Sequence, residues 1–177
     1  MKYWFDLNAS DVIAICALFI ALCSLFVTFL QVCLSRAHNI LSVKPQLYIS
    51  SHFVIGDNIV FSMGNSGVGT ALIKGVYVKT PELPELIELS SYSDYELMLN
   101  SIGIDIKSKL HKVRTFNSDT PIGVGQEVNF IEFIYSDDHK SIFKEMIKVL
   151  ASLEITVHYE CIYQRKFTAQ LTAAKLP

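Results

Sequence analysis

The sequence predicts an α+β protein, mainly antiparallel β, with a sandwich or small barrel and two helices behind one N-terminal transmembrane helix. Three observations lead there. Residues 12–34 form an apolar run interrupted only by Ser24, Thr28 and Gln31. The rest of the chain breaks into short apolar or alternating runs separated by Gly, Pro and Asn turn signals. Two stretches, near 93–102 and 139–150, carry the apolar spacing of amphipathic helices instead.

A helix rises about 1.5 Å per residue, so the 12–34 run covers the roughly 30 Å hydrocarbon core of a bilayer. It is longer than the roughly 7–15 residues of a secretory h-region and lacks a small-x-small cleavage site, so it reads as a retained anchor. The expected organisation is a short extracytoplasmic N-terminus over 1–11, the anchor over 12–34, a linker over 35–45 and a cytoplasmic β-rich domain over 46–177. Flanking charge sets that orientation. Lys2 stands against Asp6 and Asp11 on the N-terminal side, whereas Arg36, His38 and Lys44 follow the anchor with no acid before Asp57. The expected location is therefore the inner, cytoplasmic membrane with the N-terminus out, Tyr3, Trp4 and Phe5 forming an interfacial anchor there. Cys16, Cys23 and Cys33 lie in the anchor and Cys161 stands alone in the domain, which leaves no disulfide framework.

Ala14, Ala17, Ala21, Ser24, Thr28, Gln31 and Ser35 fall on one helical stripe, opposite Ile13, Cys16, Phe19, Ile20, Cys23, Phe26 and Leu30. Lipid tails attract Leu and Phe as well as a second helix does, so membrane helices associate through small residues and polar side chains. The stripe therefore reads as a self-association seam, with a symmetry-related Gln31 as partner for the Gln31 amide. The alternative is a chance pattern with Gln31 snorkelling to the interface.

In the domain, 46–53 and 58–63 flank the turn Ile55-Gly56-Asp57-Asn58 as a hairpin. A second turn at Gly64-Asn65-Ser66-Gly67-Val68-Gly69 leads to a strand over 71–78. Prolines 81 and 84 open a less regular stretch before the helix near 93–102, which has Asp94 in its first turn. Strands are expected at 109–116 and 127–135. Ser136-Asp137-Asp138 caps a helix over 139–150, with Ile142, Phe143, Met146, Ile147 and Leu150 on one face and Lys140, Lys144 and Lys148 on the other. A hairpin of 154–163 with 165–171 closes the chain.

Catalytic patterns are absent from the sequence. The histidines at 38, 52, 111, 139 and 158 have no metal-ligand spacing. His158 and Cys161 lie three apart on an expected strand and point to opposite faces. There is no GxSxG, P-loop or dinucleotide fingerprint, and no Arg-x4–6-His of the defence RNase kind. The chain reads as a non-enzyme without cofactor or metal.

Net charge is only −2, but its distribution is uneven. Glu82, Glu85, Glu88, Asp94, Glu96 and Asp105 precede a basic block of Lys107, Lys109, His111, Lys112 and Arg114. On a strand, Lys107, Lys109 and His111 share one face and Lys112 and Arg114 the other. The block is a solvated strand, a surface pairing with the acidic segment within the domain or between subunits, or a site for an anionic ligand, a nucleotide messenger or lipid headgroups.

Val43-Lys44-Pro45-Gln46-Leu47, Asn65-Ser66-Gly67-Val68-Gly69-Thr70-Ala71, Gly125-Gln126-Glu127-Val128 and Val157-His158-Tyr159-Glu160-Cys161-Ile162-Tyr163 resemble segments of uncharacterised bacterial single-pass membrane-anchored proteins with a cytoplasmic β-sandwich-like domain. In architecture the chain is also similar to small membrane effectors of bacterial antiviral defence, CRISPR-associated or cyclic-oligonucleotide systems. That similarity implies a homo-oligomeric effector that perturbs membrane permeability as a pore. Its partners would be the lipid bilayer, further copies of itself, and a cyclic oligonucleotide or a defence-complex protein. The alternative is a scaffold or adaptor holding a cytoplasmic partner at the membrane.

Overall fold

The computed structural model of the protein describes residues 8–54, 56–81, 85–104, 111–135 and 140–172, with side chains left aside at 140–142. Tyr3, Trp4, Phe5, Glu82, Asp105, Lys107, Lys109 and the Ser136-Asp137-Asp138 cap lie outside the described residues. The chain divides into two compact units, Met1–Ser42 and Val43–Pro177.

The first unit is helix α1, Ala9–Leu41, long and apolar enough to cross a membrane. It starts at Asn8, whose backbone N donates to the Asp11 carboxylate at 3.2 Å. Residues 35–41, expected as linker, continue the helix instead. Nothing stops it there, because no Gly or Pro occurs between the apolar run and Pro45. None of its residues is buried.

The second unit contains β1 (Leu47–His52), β2 (Ile59–Asn65), β3 (Ala71–Lys79), β4 (Ile87–Glu88), α2 (Tyr92–Ser101), β5 (His111–Val113), β6 (Thr120–Ile122), β7 (Glu127–Phe133), α3 (Lys140–Leu150), β8 (Glu154–Glu160) and β9 (Lys166–Leu171). They build two antiparallel sheets, one ordered β1-β2-β7-β5 and the other β4-β3-β8-β9, with β6 also paired to β3. The architecture is thus a sandwich rather than a barrel. Its strand order matches a constant-type immunoglobulin sandwich, ABED against CFG, with β4 and β6 added beside the C strand and α3 inserted before the F strand.

Alternation along the strands makes the core. Ile59, Phe61 and Met63 of β2 and Val128, Phe130 and Phe133 of β7 are buried in one sheet, and Ile73, Val76, Val78, Ile155 and Val157 in the other. Phe130 lies 6.2 Å from Phe61 and 6.4 Å from Phe116, ring centre to ring centre. The Tyr159 hydroxyl accepts a hydrogen bond from the Leu47 N–H at 3.3 Å, tying the β8 strand to the first strand of the opposite sheet. Helix α2 buries Tyr95, Met98 and Leu99, and α3 buries Phe143, Met146, Ile147 and Leu150, while Lys144 and Lys148 are exposed.

Two short strands differ from the sequence reading. β6 contains Pro121, which argues against a strand, yet it pairs at the edge of β3, where a missing N–H costs little. The described part of the strand expected over 109–116 pairs only at His111–Val113.

Candidate functional site

The described part of the basic block, His111, Lys112 and Arg114, divides between the two faces of its strand. Strand β5 lies at the edge of its sheet, opposite β7, with His111↔Phe133, Lys112↔Glu132 and Val113↔Ile131 in register. Alternation then separates the side chains. His111 is half-buried, stacked on Tyr92 and tilted against Phe133, whereas Lys112 and Arg114 are exposed. Lys112 Nζ sits 3.8 Å from the Glu132 carboxylate, which also accepts a 3.0 Å hydrogen bond from Asn58. A groove of about 410 Å³ runs along this edge, and its polar lining is Lys112, Arg114, Glu127, Asn129 and Glu132. Two cations beside two carboxylates make a mixed field, in which a polyanion would meet repulsion as well as attraction. Among the described residues no ion pair joins the block to the acidic segment; the partner of Lys112 is on β7.

Helix α2 positions this edge. Buried Tyr95 donates its phenol to the Arg114 carbonyl at 2.7 Å, and that burial pushes its pKa well above the usual phenol range. The helix start is fixed by Asp94, whose Oδ2 accepts from the Ser91 hydroxyl (2.8 Å) and N–H (2.7 Å) and from the Ser90 N–H (3.0 Å) and hydroxyl (2.9 Å). The Ser91 hydroxyl is the largest cause holding the Asp94 carboxyl below its ordinary value. A depressed carboxylate stabilises the fold above its unfolded pKa and loses that contribution as pH falls through the folded one. Asp94→Asn should therefore flatten the stability-versus-pH curve on the acid side, below the usual carboxylate range. Ser91→Ala should cost about 1 kcal/mol at neutral pH. Urea unfolding at several pH values reads both, and an unchanged acid limb in Asp94→Asn would refute the assignment.

Other polar clusters hold the faces together. On one sheet the Ser50 and Ser62 hydroxyls are 2.7 Å apart, and Ser62 donates to Glu127 at 2.5 Å. Among the described residues no histidine joins this chain, so it has no relay to activate a serine. On the other sheet Lys74 reaches Asp119 at 2.6 Å and Glu160 at 3.3 Å, and the Asp119 hydrogen bond is the largest cause raising its pKa. His158 contacts Tyr77 edge-on and Thr168 at 3.2 Å, while Cys161 is buried. Among the described residues no group of three or more His, Cys, Asp and Glu side chains could hold a metal ion.

The stripe on α1 is uniformly exposed, from Ala14, Ala17 and Ala21 through Ser24, Thr28 and Gln31 to Ser35. Its polar members differ in what they need. Ser24 donates to the Ile20 carbonyl at 2.9 Å and Thr28 to the Ser24 carbonyl at 2.8 Å, so both hydroxyls are satisfied within the helix. Among the described residues nothing pairs with the Gln31 amide.

Sequence reasoning read Asn65 to Gly69 only as a turn. Asn65 is buried, and its side chain accepts from the Gln46 N–H (3.2 Å) and the Gly67 N–H (3.0 Å) while donating to the Gly69 carbonyl (2.7 Å) and the Ile122 carbonyl (3.0 Å). The segment entering the domain is thereby clamped to two loops. An Asn before two closely spaced glycines was the available signal.

No family model matches the chain, and no curated protein matches it. Among solved structures it is similar to the archaellum periplasmic stator protein FlaG from Sulfolobus acidocaldarius, at 14% identity and a TM-score of 0.32 over 72% of this chain and 98% of that one. It is also similar to a chain of the archaeal flagellum of Methanospirillum hungatei strain JF1, at 9% identity and a TM-score of 0.36 over 96% of this chain and 90% of that one. Similarities this slight leave the function to be read from the chain itself.

Proposed function

We propose that the protein is a non-enzymatic, homo-oligomeric assembly protein of the inner membrane. In this reading α1 crosses the bilayer with the N-terminus out, copies associate through the stripe, and the cytoplasmic immunoglobulin-like sandwich holds a partner at the membrane. Gln31 is the observation that carries it. Within the apolar run its amide is the polar stripe side chain that the helix leaves without a hydrogen bond, Ser35 lying just beyond that run, and in hydrocarbon a second helix is the nearest source of one. The mixed charge of the β5 edge supports a protein partner over a small polyanion.

Ala17→Leu with Ala21→Leu should separate the helices, and Gln31→Leu should weaken association by about 1–2 kcal/mol. Phe19→Leu with Phe26→Leu should change little. Cross-linking yield and native mass of the detergent-solubilised chain read the outcome, and equal oligomer in all variants would remove the seam.

The same stripe favours a second reading, a pore-forming effector of bacterial antiviral defence gated by a cyclic oligonucleotide or a defence-complex protein. Ser24, Thr28 and Gln31 would then face a shared axis. Induced expression should depolarise cells and Gln31→Leu should blunt the effect, whereas an unchanged membrane potential during phage challenge leaves the scaffold.

A further inference from the structure

We propose that the end of the sandwich nearest α1 in the chain rests on the anionic headgroup layer of the membrane. This depends on the reading of α1 as a bilayer-spanning helix. The register places four segments together at that end. Leu47↔Asn65, Gly64↔Glu127, Ala71↔Ile122, Leu72↔Glu160 and Glu160↔Lys166 are paired, so 43–46, 66–70, 123–126 and 161–165 are the connections just beyond one edge of both sheets. Hydrogen bonds from Val68 N–H to the Lys44 carbonyl (3.2 Å), Ser66 N–H to the Gln46 carbonyl (3.0 Å) and Gly125 N–H to the Asn65 carbonyl (2.8 Å) hold three of them together.

Their tips have the composition of a membrane interface. Val68, Val124, Ile162 and Tyr163 are exposed at 64%, 60%, 57% and 49%. Scattered singly such residues are ordinary, but here they project from three loops at one end. The four segments contain Lys44 and Arg165, both exposed, and no Asp or Glu. Apolar tips, a tyrosine and two exposed cations suit the boundary between acyl chains and anionic headgroups.

The connection along the chain is short. The apolar run ends at Leu34 and α1 ends at Leu41, about 10 Å further along the axis. The headgroup layer itself reaches roughly 5–7 Å beyond the hydrocarbon. Val43 follows two residues after the helix and belongs to the clamped segment, so in the chain only a short stretch separates the helix from these connections.

The full chain has one tryptophan, Trp4, so Trp4→Phe provides a silent background. Ile162→Trp, Val124→Trp and, at the opposite end beyond His52↔Val60, Val54→Trp are placed in it and reconstituted in phosphatidylcholine–phosphatidylglycerol vesicles with and without lipid brominated near the headgroup. Variants keeping the parent's urea midpoint are compared. At least twofold stronger quenching at 162 and 124 than at 54, reduced by Arg165→Glu, is expected. Quenching at 162 and 124 no greater than at 54 would overturn the proposal, including the case of blue-shifted emission from contact with a second copy. Carbonate washing of the same vesicles separates the two layers: a chain that washes out refutes the spanning helix, whereas a retained chain without quenching refutes only the docking.

Discussion

Asn65→Ala is expected to destabilise the domain by about 3–4 kcal/mol. The side chain is 1% exposed and closes four hydrogen bonds, two as acceptor and two as donor. Truncation leaves the Gly69 and Ile122 carbonyls without that donor in a buried setting and frees the Gln46 and Gly67 N–H groups. Each orphaned buried group costs about 1–3 kcal/mol, less where water can enter. Asn65→Asp is no remedy, because a carboxylate can still accept from the two N–H groups but turns negative oxygen toward the two carbonyls. Urea unfolding of the full chain in detergent measures both variants. A loss under about 1 kcal/mol in Asn65→Ala would mean that water replaces the side chain and that the clamp is not what holds the entry segment.

How far the fold could be read beforehand depended on the range of the interaction that fixes each element. The hairpins at 46–63 and 154–171 and helix α2 follow local rules, since alternation, Gly and Asn turns and an Asp in the first turn act within a few residues. β6 owes its pairing to β3, which lies far from it in sequence, and Pro121 argued locally against a strand. The bulges that interrupt β2–β7 pairing at Phe61/Ser62 and β3–β8 pairing at Ile73/Gly75 likewise have no signature in a single run of residues. Helix α1 was legible in its apolar part. Its extension through 35–41 rested on the absence of a stop, which is weaker than the presence of one.

The site followed the same division. Period-two alternation separated His111 from Lys112 and Arg114 as a strand requires, but the carboxylate that meets Lys112 comes from Glu132 across the sheet, not from the acidic stretch preceding it in sequence. The stripe on α1 was legible as spacing, but not that Ser24 and Thr28 spend their hydroxyl donors on the helix backbone, which leaves Gln31 as the polar group inside the apolar run with an unmet need.

Gly69→Ala should cost about 3 kcal/mol, toward the upper end for overpacking, although the residue has no positive φ to lose. A Cβ at Gly69 would overlap the Val43 carbonyl, and one at Gly67 would overlap Gln46 N and the Lys44 carbonyl, so in both cases the obstacle is backbone. That backbone is held by Val68 and Ser66 N–H groups and by the Asn65 side chain, so it gives way only by breaking those bonds. Gly64 is the informative contrast. A Cβ there meets the Tyr48 ring, the far end of a side chain that is 42% exposed and free to swing into solvent. Gly64→Ala should therefore cost about 1 kcal/mol or less, chiefly from that displaced ring. The two substitutions are chemically identical, Gly64 at the end of β2 and Gly69 in the connection that follows it, and both crowd a neighbour; what separates them is the neighbour's ability to move. Urea midpoints rank them, and thermolysin cleavage near Val43 should accelerate in Gly69→Ala alone, because displacing Val43 loosens the entry of the chain into the sandwich. Equal midpoints and equal cleavage in the two variants would show that the entry segment yields as easily as a surface tyrosine.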